Sequence, residues 1–125
     1  MLRWLRRRLH TRRIQPRIAL TADGFEIVGS EGECYPVSWA QMTKVATYKR
    51  DLLTSDEIML AFELADRPGV VQEISEEWDG FSDLFGPMEK HLGISPLWYL
   101  DVMNPAFAPN FRVLYERPAT EERTT

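Results

Sequence analysis

Cysteine is nearly missing from this chain: Cys34 stands alone, so no disulfide can form within the molecule, and a reducing compartment is the expectation. Histidine is almost as scarce, with only His10 and His91 to supply an imidazole. No apolar run approaches the roughly 20 residues that cross a bilayer, and the basic N-terminus is not followed by an apolar stretch of the secretory kind. The expected location is therefore cytoplasmic. Glycines never gather into a phosphate-cradling loop, and there is no Gly-x-Ser-x-Gly elbow, His-Glu-x-x-His pair or Cys-x-x-Cys pair. These gaps exclude the commoner routes to nucleotide, zinc and triad chemistry, so no cofactor, metal or catalytic residue is expected. A catalytic imidazole would have to be His91, on the polar side of a helix, where a plain exposed histidine is the better reading. Cys34, with no base marked for it, reads as a small buried hydrophobe rather than a nucleophile.

Acidic residues are also missing, but only from one end. Arg3, Arg6, Arg7, Arg8, Arg12, Arg13 and Arg17 give the first 17 residues a charge of +7 with no acid among them, leaving 8 basic against 19 acidic residues in the rest. A basic arm on an acidic body follows. As a helix the arm would carry a narrow stripe of Leu2, Leu5 and Leu9, with Trp4 off it. Such a segment suits phosphates or an anionic membrane surface, or it rests solvated on the acidic body. Pro16 closes any helix there by forcing Gln15 to be extended. The domain reading is an arm over 1–17, one domain over 18–117 and a disordered tail over 118–125.

The chain as a whole has ordinary globular composition, 44% hydrophobic and 27% charged, and its 125 residues suffice for one core. Short strands are expected at Ile18 to Leu20 and Gly24 to Val28 about an Asp-Gly turn, then at Cys34 to Trp39, where Pro36 implies an edge position. A helical turn near Ser38 to Met42 precedes a strand from Lys44 to Tyr48. The clearest strand is Ile58 to Leu64, with Ile58, Leu60, Phe62 and Leu64 on one face. Arg67-Pro68-Gly69-Val70 predicts a type II turn and a hairpin with Val70 to Ser75. Phe81, Leu84, Phe85, Met88 and Leu92 recur at helical spacing after Asp79 as N-cap, with a kink near Gly86 from Pro87 and a stop at Gly93. From Ser95 the aromatic and proline residues predict an extended strap, and Phe111 to Glu116 a last strand. The fold class is thus α+β: an antiparallel sheet of about five to seven short strands, packed by one C-terminal amphipathic helix.

Two charged groups are candidate sites. Tyr48, Lys49, Arg50, Asp51 and Asp56 flank a polar turn, where they either pair and cap to fix the loop or form a recognition edge. Glu73, Glu76, Glu77, Asp79 and Asp83 do not follow the spacing of a calcium loop, and a solvated acidic face is the better account.

The runs VSWAQMTKVATYKRDLLTSDEIMLAFEL, EISEEWDGFSDLF and PAFAPNFRVLYER resemble a family of small uncharacterised bacterial proteins. The matching positions are Trp39, Lys49, Arg50, Asp51, Thr54, Asp56, Gly80, Pro105, Ala106, Phe107, Ala108 and Asn110. The likeness spans 18–117, leaves out the arm and implies no activity. The element order, strands and then a helix, is also similar to pleckstrin-homology-like domains. The expected function is a non-catalytic adaptor whose partner is another protein, of the kind that neutralises or docks on a cognate protein. The alternative is nucleic-acid or anionic-membrane binding through Arg3, Arg6, Arg7, Arg8, Arg12 and Arg13, with a carboxylate-based hydrolase a distant third.

Overall fold

The computed structural model describes residues 15–51, 55–104 and 110–118. The expected arm, but for its last residues, and most of the expected tail therefore lie outside the described residues. The described chain is α+β, with seven antiparallel strands in two sheets. Strands β1 (Arg17–Leu20), β2 (Gly24–Val28) and β3 (Cys34–Ser38) form a meander in that order. Strands β4 (Met42–Asp51), β5 (Asp56–Leu64), β6 (Gln72–Ser75) and β7 (Arg112–Glu116) form the second sheet, in the order β6-β5-β4-β7.

One continuous sheet was the simpler expectation, and the division has a physical cause. Both hydrogen-bonding edges of β4 are occupied, by β5 on one side and β7 on the other, so β3 cannot pair with the strand that follows it. A 3-10 turn at Trp39–Gln41, opened by the Ser38 hydroxyl accepting from the Ala40 amide, redirects the chain between the sheets. Their inner faces meet where the Phe25 ring lies 5.3 Å from Trp39 and 5.9 Å, edge-on, from Phe62.

The β5–β6 hairpin has the turn its residues demand. Gly69 takes φ +84° and the Val70 amide donates to the Arg67 carbonyl at 3.1 Å, the closure of a type II turn. Ile58, Leu60, Phe62 and Leu64 are buried with Phe81, Leu84 and Met88, while Phe85 is half-buried against the same core. Met59 and Ala61, on the opposite face of β5, are buried as well. As a central strand β5 has a neighbour on each side, with Met59 between Tyr48 and Ser75 and Ala61 between Ala46 and Glu73.

The helical region differs from expectation at three points. Asp79 is not its N-cap: Gly80 holds that place in the left-handed conformation, φ +89°, opening a 3-10 turn at Phe81–Leu84. Asp79 is instead drawn to β1, its carbonyl accepting from the Ile18 amide at 2.8 Å. Only glycine fits beside it, since a Cβ on Gly80 would sit 2.1 Å from the Ile18 oxygen. Helix α1 (Phe85–Leu92) then begins beyond the 3-10 turn, so the break falls before Phe85, and Pro87 lies in the first helical turn where a missing N–H breaks no bond. Gly93 ends α1, its amide donating to the Glu89 carbonyl.

The expected extended strap contains a second helix, α2 (Trp98–Met103). The Ser95 hydroxyl accepts from the Leu97 amide and its carbonyl from Trp98, which starts the turn, and Trp98 and Val102, four residues apart, are buried on one side. Residues 105–109, with Pro105, Ala106, Phe107 and Ala108, lie outside the described residues. The helical region is not the C-terminal element either, because β7 follows it and returns to β4. Cys34 is exposed rather than buried, at the outer end of edge strand β3. No helix among the described residues is long and apolar enough to cross a membrane.

Leu60, 2% exposed at the centre of the core, is the direct test of this packing. Leu60→Ala should cost about 2–5 kcal/mol in urea unfolding, the range for a large-to-small core change.

Candidate functional site

The pleat of β4 splits the predicted loop group between two environments. Successive side chains alternate across a strand, so Lys49 points into the core while Tyr48 and Arg50 point outward. Lys49 is 5% exposed; its Nζ lies 3.3 Å from Asp56 Oδ2 and donates to the Met103 carbonyl at 3.0 Å. That carbonyl belongs to the last turn of α2, where a cation opposes the helix dipole. Asn110 completes the end of α2, its side-chain amide donating to the Val102 carbonyl at 3.1 Å and also to Asn104. Lys49 and Asp56 thus pin α2 to the sheet. Asp51 is paired with Asp56 in the ladder, but its side chain lies outside the described part.

On the outer face Tyr48 and Arg50 join a carboxylate network. The Tyr48 hydroxyl donates to Glu73 Oε2 at 2.7 Å, reaching across β5 to β6. Burial first, and then this bond, hold the Tyr48 phenol above its ordinary range, with Arg50 acting in the opposite sense. Arg50 lies 3.7 Å from Glu57 and 3.9 Å from Glu73, and the Ser75 hydroxyl donates to Glu57. Arg50 is half-exposed, so its pairs contribute orientation more than stability. Beside this network the same face is apolar. Ala46, Ala61, Val71 and Phe111 border a cavity of about 120 Å³ with Lys44 and Glu63 at its rim. Val71, Phe111 and Val113 are 55%, 63% and 47% exposed. Glu57, Ser75, Val71, Phe111 and Val113 were not read as site residues, because only the strand register places them on one face with Tyr48 and Arg50.

The second acidic group does not converge either. Glu73 faces the outer network, whereas Glu76 accepts from the Ile58 amide at 2.8 Å and from the Tyr99 hydroxyl at 2.5 Å. Burial, the Glu76 bond and the charges of Glu76 and Glu77 raise the Tyr99 phenol to about 12. No three His, Cys, Asp or Glu side chains among the described residues are grouped to hold a metal ion. His91 stacks on the Trp39 ring at 5.7 Å, an interplanar angle of 9°, and is otherwise exposed. Of the arm's arginines, Arg17 alone is described: it is the first residue of β1, paired with Val28. Arg3, Arg6, Arg7, Arg8, Arg12 and Arg13 lie outside the described residues.

No protein-family model, curated protein or solved structure matches this chain.

Two outcomes follow from this geometry. Asp56→Ala, which strips a partner from a buried ammonium, should cost about 3 kcal/mol, and Lys49→Met in that background should recover most of it, read as a double-mutant cycle in urea. Tyr99 has its folded phenol raised from 10.0 to about 12, so its stabilising contribution is complete below pH 10 and lost as pH rises through about 12. Tyr99→Phe should therefore flatten the fall in unfolding free energy across that alkaline window and leave the neutral-pH slope unchanged.

Proposed function

We propose that this protein is a non-catalytic binding module that docks another protein on the outer face of its four-stranded sheet. The observation that carries the reading is the composition of that face. Val71 and Phe111 lie exposed about a small cavity with Lys44 and Glu63 beside them, and exposed Val113 pairs with Ala46 of the cavity wall. An apolar centre within a polar, orienting rim is the anatomy of a protein interface. The register puts Glu57, Glu63, Glu73 and Glu116 on this face against Lys44 and Arg50, an excess of carboxylates. The partner that fits offers apolar side chains flanked by basic ones.

The likeness in element order to pleckstrin-homology-like domains supports a docking platform only as far as the strands and α1. It stops at β7, which comes after the helices and widens the docking face. The resemblance to a family of small bacterial proteins adds no activity to this reading.

Val71→Glu and Phe111→Glu change exposed positions, so each should leave the unfolding free energy within about 0.5 kcal/mol. Cross-linked capture of a host protein by the full-length chain should be lost in both variants. Capture that survives both substitutions overturns the assignment of this face.

A further inference from the structure

A second concave surface lies where the first strand meets the helical region, and its chemistry differs from that of the sheet face. It is a groove of about 460 Å³ whose walls include Trp78, Phe81, Phe85 and Tyr99. Glu76, Glu77 and Asp79 also line it, and among the described residues no Lys or Arg does. Aromatic walls with carboxylates between them suit guanidinium groups, which stack on ring faces and pair with carboxylates through two parallel N–H donors.

The chain itself supplies such groups at the edge of this groove. The Ile18 amide donates to the Asp79 carbonyl at 2.8 Å, and Arg17 is bridged to Asp79 in parallel. The polypeptide running toward the N-terminus therefore leaves the body beside a groove residue. Residues 1–14 carry six arginines, no acid, and Leu2, Trp4, Leu5 and Leu9. Arg13 and Arg12 precede Arg17 by four and five residues, so at about 3.5 Å per extended residue they reach roughly 14–18 Å, enough to span the groove. A tether this short holds the segment at an effective concentration in the millimolar range. On the sheet face Arg50 already lies beside Glu57 and Glu73, so those carboxylates are less open to the arm.

We propose that the groove between Trp78, Phe81, Phe85 and Tyr99 is a docking site for residues 1–14 of this same chain, held in cis by arginine contacts to its rings and carboxylates. A polyanion reaching for the arm must then displace it from the groove, so the body lowers the arm's affinity for phosphates.

The test uses the full chain with Cys34→Ser and Leu9→Cys, a nitroxide attached at the latter. Amide NMR signals of Glu77, Trp78, Asp79 and Ser82 should be broadened by the label well beyond those of Val71 and Val113. Glu77→Lys with Asp79→Lys, both at exposed positions, should abolish that selective broadening while leaving the remaining spectrum in place. Raising the salt to about 0.5 M should weaken it, as screening demands. Relaxation spread evenly over the body, relaxation centred on Val71 and Val113, or selective broadening unchanged by the charge reversal would each overturn the proposal.

Discussion

Lys49 carries an ammonium into the interior, and the arrangement of the second half of the molecule depends on satisfying it. An uncompensated buried charge is costly, so the site must supply a carboxylate and a carbonyl at bonding distance. Asp56 supplies the first from the start of β5, and Met103 supplies the second from the end of α2. These two partners come from opposite sides of the β5–β6 hairpin and the α1 region in sequence. Meeting the needs of one side chain therefore fixes where the β4–β5 hairpin begins and where α2 stops. Asn110 reinforces the second point by taking up the neighbouring carbonyls, so β7 leaves α2 from a defined position and returns to β4.

With α2 placed, the core closes between unlike elements. Phe62 from β5 meets Phe25 from the other sheet, and Phe81, Phe85 and Trp98 form an edge-to-face aromatic group on the helical side. Among the described residues no strand pairing joins the two sheets; aromatic packing brings them together, with Trp39 at the point where the chain crosses. Gly80 matters for the same reason: it lets the backbone of the helical region approach β1 more closely than any side chain would permit.

The molecule consequently has two surfaces of different chemistry. The outer face of the four-stranded sheet combines exposed apolar side chains with a network in which Tyr48 and Arg50 are both engaged by carboxylates. The groove beside β1 combines aromatic walls with carboxylates, and no cation lines it among the described residues. The first suits a mixed protein surface, and the second suits an arginine-rich segment of the kind this chain carries. Charge balance distinguishes them more clearly than shape does.

Local periodicity determined most of the elements. Alternation marked β5, Asp-Gly marked the β1–β2 turn, Pro68-Gly69 marked the β5–β6 turn, and Phe81 to Leu92 marked the helical region, because each signal depends on neighbours in the chain. The arm's charge was equally plain, since composition needs no fold. What the chain alone left undecided was every choice between competing partners. Asp79 has the residue type of an N-cap, but β1 claims its backbone and Gly80 takes the cap. Ser95 to Met103 opens on Ser95-Pro96 and carries two adjacent rings, yet Trp98 and Val102 become helical because a core face lies four residues apart. Lys49 sits in a run of polar residues, and only the pairing of β4 with β5 sends it inward while Tyr48 and Arg50 go out. Val71, Phe111 and Val113 are far apart in sequence and share a face only through strand register. The division is physical: propensity and turn chemistry act over a few residues, whereas burial, register and the satisfaction of a buried charge are decided by segments that meet only in the folded state.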